Sequence, residues 1–329
     1  MRRTLIVLLI LLLVVVGAGA VWLKGALDDR PDVARYASLA VDDGAPPAGG
    51  LSVTFLGVST LLLRDAKSAV LIDGFFTRPD LWSTAVGKVS PDNEAIANAL
   101  ARAGVDRLDA VVAVHSHYDH AMDSPDVAKL TGAVVVGSAS TANIARGRGL
   151  TEDRIRVVKG GETLRFGDLA VTLVAGAHFP HGQAMGEITE PLVPPVRALD
   201  YLEGGSYSVF VEHAGRSVLV QGSAGYVEGA LAGRKADVVY LGIGLLGSRD
   251  EAYREAYWRE TVTTVGAKRV VPIHWDDFTK PLDEPLVALP FLLDDLDASM
   301  DFVLARAGRD KVQVRWPVLW RGVDPFAGL

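Results

Sequence analysis

The sequence predicts an α/β fold of two similar halves, with sheets packed face to face and helices outside, carried behind an apolar amino-terminal segment. Three observations predict it. Short β-rich runs are interspersed with helical stretches, and the same theme returns in the second half. Near-continuous apolar runs such as Leu108–Val114 have the length of a buried strand. Hydrophobic residues make up 49% of the 329 residues and charged residues 22%, which supplies a sizeable core and excludes intrinsic disorder.

In chain order, the first element is uncharged from Thr4 to Leu23 and follows Arg2 and Arg3. At about 1.5 Å per residue it makes roughly 30 Å of helix, enough to cross a bilayer. The paired arginines orient the amino terminus to the cytoplasm and export the body. Ala18-Gly19-Ala20 also reads as a signal-peptide cleavage site, so residues 1–24 are expected to be either an uncleaved membrane anchor or a signal. The body is then membrane-anchored and extracytoplasmic, or secreted or periplasmic. Residues 25–50 turn to Asp, Pro, Gly and Ala and read as a linker with little structure of its own.

The globular domain is expected over residues 51–329. Val53 and Phe55, then Thr60–Leu63 and Ala69–Ile72 around the turn at residues 65–68, read as an opening antiparallel arrangement. Ser90-Pro91 is expected to start a helix with Ile96 and Leu100 on one face, closed by Gly104. Strand Leu108–Val114, a helix from Ser124-Pro125 and strand Ala133–Val136 follow. The middle reads as strands Arg154–Val158, Thr163–Phe166, Leu169–Val174, Ser206–Glu212 and Arg216–Val220. Strand Asp237–Leu241, a helix over about 250–265 and strand Arg269–Ile273 come next. Between Gly182 and Gly205 no periodicity is visible, and so long a break suggests a lid over a site.

The net charge is −7, and removing residues 1–24, which hold Arg2, Arg3 and Lys24 and no acid, leaves −10. So acidic a body has no basic face for nucleic acid, and none is expected as a partner. The absence of cysteine excludes disulfides, thiolate nucleophiles and iron–sulfur clusters, so any metal must sit on His and carboxylates. No phosphate loop, nucleophile elbow or dinucleotide fingerprint stands in its required context.

Directly after the strand ending at Val114 comes His115-Ser116-His117-Tyr118-Asp119-His120. In extended backbone His115 and His117 point the same way, while Asp119 and His120 in the following turn face a neighbouring point. Imidazole and carboxylate are what zinc takes without thiolate. His178 and His274 also follow strands, so three strand ends supply histidines to one rim. His181, at the edge of the long break, reads as an exposed loop histidine, with substrate contact or proton shuttling as the other reading. His213 reads as a solvated hairpin end, and Tyr226 and Trp275 as core or pocket lining. Arg78 and Arg146 could each meet one anionic group.

The His115–His120 segment resembles the HxHxDH signature of the metallo-β-lactamase superfamily. Gly57-Val58-Ser59-Thr60, Leu71-Ile72-Asp73-Gly74-Phe75-Phe76, Ala177-His178-Phe179 and Pro272-Ile273-His274-Trp275-Asp276 resemble motifs of its branch of lactonase-like and N-acylphosphatidylethanolamine phospholipase D-like hydrolases. The resemblance implies a four-layer αββα sandwich. It implies His115, His117 and His178 as ligands of one metal and Asp119, His120 and His274 as ligands of a second, both zinc, with Mn2+ or Fe2+ as other candidates. The usual bridging Asp falls at Ser223 in Gly222-Ser223-Ala224-Gly225-Tyr226, so hydroxide alone would bridge two metals, or one metal is lost. The implied activity is hydrolysis by a metal-held hydroxide of an ester, lactone, amide or phosphodiester in a small-molecule or lipid-like substrate, with Asp119 also the catalytic residue that orients the nucleophile. The alternative is a non-catalytic module with a single metal site. Membrane contact is expected through residues 4–23.

Overall fold

The computed structural model describes residues 2–40, 44 and 46–329. Helix α1 (Arg2–Asp28) is the apolar segment, an unbroken helix whose side chains are exposed from Leu8 to Trp22, as at Leu13 and Val15, while Leu23, Ala26 and Leu27 near its end are half-buried. Such a helix has no core-facing stripe.

Two seven-stranded sheets form the body. The first is built from β1 (Ser52–Phe55), β2 (Leu61–Arg64), β3 (Ala69–Ile72), β4 (Ala110–Val112), β5 (Val134–Gly137) and β6 (Ile155–Val157). The second takes β7 (Thr163–Phe166), β8 (Leu169–Gly176), β9 (Ser206–His213), β10 (Arg216–Gln221), β11 (Val238–Gly242), β12 (Arg269–Ile273) and β13 (Gln313–Val314). A last strand, β14 (Gly322–Val323), returns to the first sheet, giving the orders β14-β1-β2-β3-β4-β5-β6 and β13-β12-β11-β10-β9-β8-β7. In each sheet antiparallel strands lead into a parallel run, β3 to β6 in one and β10 to β13 in the other.

Alternation along β2 explains the layering: Leu61 and Leu63 enter the cluster between the sheets, whereas Leu62 enters the cluster beneath the helices. On the outer face of the first sheet lie α3 (Asn93–Arg102), α5 (Ser124–Thr131) and α6 (Ala139–Gly147), the short helices α2 (Leu81–Ala85) and α4 (Tyr118–Ala121) preceding α3 and α5 in the chain. The second sheet carries α7 (Glu251–Trp258) and α8 (Leu296–Asp310), which bury Tyr257, Trp258, Met300 and Val303. This is the expected mixed α/β arrangement with two facing sheets.

Several details differ from expectation. Helix α3 is capped by Asp92, whose carboxylate accepts the Glu94 and Ala95 N–H groups, two residues after Ser90. The helix expected over 250–265 leaves α-geometry after Trp258 for a π-helical turn, Arg259–Thr263. Within the expected linker, residues 41–43 and 45 lie outside the described residues, but 29–40 are packed on the body. Val33–Leu39 is a 3-10 helix capped by Asp32, and Tyr36 is buried against Trp316 with its hydroxyl donating to Asp297 at 2.8 Å. Arg30 pairs with Asp277 at 2.9 Å. These partners lie far along the chain, so local composition could not announce them.

Candidate metal centre

The first sheet's parallel strands end at the site. β4 runs into an extended segment that presents His115 and His117 with ring centroids 4.7 Å apart, and α4 opens immediately after, placing Asp119 and His120 in its first turn. β8 delivers His178 and β12 delivers His274 from the second sheet. The ligand atoms of His115, His117 and His178 lie within 4.8 Å of one another, and so do those of Asp119, His120 and His274. All six predicted ligand residues therefore converge, in the two expected groups.

The second coordination layer fixes which nitrogen faces inward. His178 Nδ1 donates to the Phe179 carbonyl at 2.7 Å, and His117 Nε2 to that of Ala184 at 3.2 Å. His120 Nδ1 donates to Asp73 Oδ2 at 2.8 Å, turning its Nε2 toward Asp119 (3.3 Å) and His274 (3.2 Å). Asp73 is held in turn: Oδ1 accepts the Val114 N–H at 2.8 Å and Oδ2 the Ser59 hydroxyl at 2.5 Å. His274 and Asp73 both adopt positive φ, +58° and +52°, a conformation costly for residues with a Cβ, and His274 is held there by its N–H bond to the Val58 carbonyl.

His115 decides what the cluster is for. It is fully buried, yet neither ring nitrogen has a hydrogen-bond partner. An unpaired buried nitrogen costs about 1–3 kcal/mol, so this atom is built for a ligand other than the protein. Neutral imidazoles and an ionised carboxylate suit a divalent cation. Burial lowers His115, His117 and His178, the last to about 3, so these rings are neutral at ordinary pH. Burial opposes ionisation of Asp119, but the charge and hydrogen bond of His120, with His274, hold its carboxyl well below the usual range. For His120 burial works downward and is outweighed by Asp119 and Asp73, which raise it to about 10. A cation in the second group would take the place of that proton.

Two expectations follow. In metal-free protein the lowered pKa of His178 means a stability contribution present above pH ~6.5 and lost as pH falls toward 3. Its melting temperature should therefore drop between pH 6.5 and 4, more steeply than that of His178→Gln. Asp73→Asn should weaken metal binding at the second group by about 10–100-fold, as loss of a ligand's orienting carboxylate typically does, read by competition with a chromogenic chelator. From sequence Asp73 carries no role of its own; its signs are its place in Leu71-Ile72-Asp73-Gly74-Phe75-Phe76 and a carboxylate just past a buried strand.

A cavity of about 560 Å³ opens over the ligands and is lined in part by His117, Asp119, His178, Ser223 and His274. Among the described residues, no Lys or Arg side chain lines it. Ser223 Oγ accepts the Phe179 N–H at 2.9 Å. His181 is half-buried, 4.7 Å by ring centroid from His178, rather than an exposed loop residue. His213 is buried beside Asp65 at 3.4 Å, not a solvated end, because the hairpin tip folds against the first sheet's turn. Trp275 stacks on Trp316 at 4.4 Å and belongs to the core, and Tyr226 packs on Tyr253 and Tyr257. Neither arginine is free for an anion: Arg78 pairs with Asp276 at 2.7 Å with both side chains fully buried, and Arg146 pairs with Glu152. The segment expected as a lid is a pinned wall: Ile188 N–H donates to Ser140 and Leu192 N–H to the Asn143 carbonyl.

Two facing sheets with histidines clustered at the ends of β4, β8 and β12 define a metal-binding protein of the metallo-β-lactamase type. Residues 69–275 match the family described as Beta-lactamase superfamily domain, and the chain belongs to that family. It is 25% identical over 266 residues to a UPF0173 metal-dependent hydrolase of Heliobacterium modesticaldum, covering 78% of this chain and 94% of that one. It is 28% identical over 231 residues to another from Rubrobacter xylanophilus, covering 70% and 84%. Among solved structures, Igni18, a metallo hydrolase from Ignicoccus hospitalis, shares the fold with TM-score 0.52 and 15% identity over 83% of this chain and 97% of that one. An isothiocyanate hydrolase from Delia radicum gut bacteria gives 0.51 and 18% over 82% and 98%.

Proposed function

We propose that the protein is a metal-dependent hydrolase holding two divalent ions, zinc in the first instance, on His115, His117 and His178 and on Asp119, His120 and His274. The unpartnered, buried His115 carries this reading, and the names of the curated relatives support it. When bound, such ions supply an activated water near neutral pH and polarise the scissile group. Asp119, ionised and facing the cavity, takes a proton from the attacking water and returns it to the leaving group. Gln183 and Ala184 line the cavity beside the ligands. The bond cleaved is an ester, lactone, amide or phosphodiester of a small or lipid-like molecule, and nucleic acid is not a partner. Helix α1 anchors the exported body: it continues past Ala18-Gly19-Ala20 to Asp28 and then into residues that pack on the body.

Elemental analysis of the purified full chain, with a panel of ester, lactone, amide and phosphodiester substrates, tests the proposal. About two ions per chain and turnover of one substrate class are expected from a two-ion site. Because Ser223 Oγ already accepts a backbone N–H, the single-ion reading deserves its own measurement. Ser223→Ala should keep metal content and lower activity modestly, by about 2–10-fold. Ser223→Asp should tighten the second ion. A wild-type content of one ion would favour the mononuclear site on His115, His117 and His178.

A further inference from the structure

We propose that the catalytic cavity opens at the surface of the bilayer holding α1, and that its substrate is a long-chain lipid with a hydrolysable ester, amide or phosphodiester bond, taken from that bilayer. The proposal rests on the hydrolase reading and on α1 as a membrane span.

A second cavity lies between α1 and the body, lined by Ala20, Leu23 and Leu27 of the helix and by Trp82 and Pro290 of the body. It shares Leu81, Thr279 and Leu293 with the catalytic cavity. The wall of Leu81, Thr279 and Leu293 therefore has the metal ligands on one side and helix α1 on the other, in a cavity that also carries Lys24, Asp28, Arg30, Asp80, Asp277 and Lys280, charges that suit a headgroup layer. The helix end is fixed to this wall: the Asp29 carbonyl accepts the Phe291 N–H at 3.0 Å, and Arg30 donates to the Ala288 carbonyl at 2.8 Å. Trp22 and Lys24 mark the end of the uncharged run, the residue types that settle at a membrane interface. The wall then lies at interface depth.

The rim carries what a water-facing rim would not. Trp82 is 63% and Val86 81% exposed on and beside α2, and Leu199, Phe291, Leu292 and Leu293 add further exposed apolar surface. Single exposed apolar residues are ordinary, but a cluster around one mouth marks an interaction surface. The bilayer is the occupant because the anchor helix touches the same rim. Among the described residues no lysine or arginine lines the catalytic cavity, and away from Asp119, Asp294 and the histidines its wall is largely apolar, with Leu81, Ala198, Leu199 and Leu293, which suits an acyl chain.

The test uses the full chain reconstituted in phosphatidylcholine vesicles, plain or brominated along the acyl chains. Brominated lipid should quench wild type more than Trp82→Phe, the difference reporting Trp82 in the membrane. Equal quenching of the two places Trp82 in water and overturns the docked rim, whatever the activity. In the second arm the soluble substrate turned over best is paired with its long-chain homologue in vesicles. Leu292→Glu should lower kcat/KM for the long-chain compound about tenfold, the worth of one buried leucine, and leave the short-chain compound unchanged. Equal loss on both, or no preference for the long chain in wild type, overturns the lipid substrate. Quenching of Trp82 without turnover of any panel compound by metal-loaded protein sinks the hydrolase reading, and the lipid substrate with it, while the docked rim stands.

Discussion

Asp119→Ala should bring metal content from about two ions per chain to one and lower kcat/KM by about 1,000-fold or more, since general acid–base groups alone contribute about 10²–10⁴. Two losses combine. The carboxylate is a member of the second ligand group, 3.3 Å from both His120 Nε2 and His274 Nε2, and it is the one carboxylate among the six residues. Asp119→Asn separates them, because an amide retains a coordinating oxygen but cannot accept the proton. It should keep more metal than the alanine variant while losing nearly as much rate. Elemental analysis and steady-state kinetics on both variants decide it; an alanine variant with two ions and near-normal turnover would place the chemistry elsewhere.

Arg78→Met should destabilise the protein by about 3–5 kcal/mol, measured by denaturant unfolding, because it strands a carboxylate in the interior. Asp276 Oδ2 pairs with Arg78 Nη2 at 2.7 Å, and its Oδ1 accepts the Val58 N–H at 2.8 Å. Close packing around the guanidinium leaves no slack: a Cβ on Gly57, itself at φ +93°, would stand 2.0 Å from Nη2. Replacing both partners, Arg78→Met with Asp276→Leu, should recover part of the loss, since two matched apolar groups leave no charge uncompensated. Metal affinity should fall as well in the single variant. The Val58 carbonyl holds the His274 N–H at 2.7 Å, so loosening this loop releases a ligand from its strained backbone.

What was legible in the sequence is what is local. Strands Thr163–Phe166 and Arg269–Ile273 match their expected bounds for different local reasons: the first is an edge strand that alternates exposed and half-buried residues before the Gly167-Asp168 turn, and the second is an apolar run buried throughout. The six ligands were legible because a strand end fixes where a following side chain points. Partners distant in sequence were not. Helix α8 and strands β13 and β14 went unassigned: α8 has polar and apolar residues in near balance, and each of the two strands is only two residues long. Asp73 escaped because its function is to orient His120 across the sheet, a relation that exists only after β3 and β4 pair. His213 escapes for the same reason, buried beside Asp65 of a turn remote in the chain, whereas His181 stands half-buried beside its near neighbour His178.

The return of β14 to the first sheet bears on the order in which the molecule can be completed. β1 lies inside its sheet only because Gly322 and Val323, made late in synthesis, pair with Thr54 and Val53. Gly322 passes so close to β1 that a Cβ there would lie 2.8 Å from Ser52 Oγ. Until that segment emerges, a nascent chain presents an open, apolar strand edge to its neighbours. The amino-terminal half thus depends on the carboxyl-terminal residues for its solubility while it is being made, and a truncation just before Gly322 should show itself as aggregation rather than as a simple loss of stability.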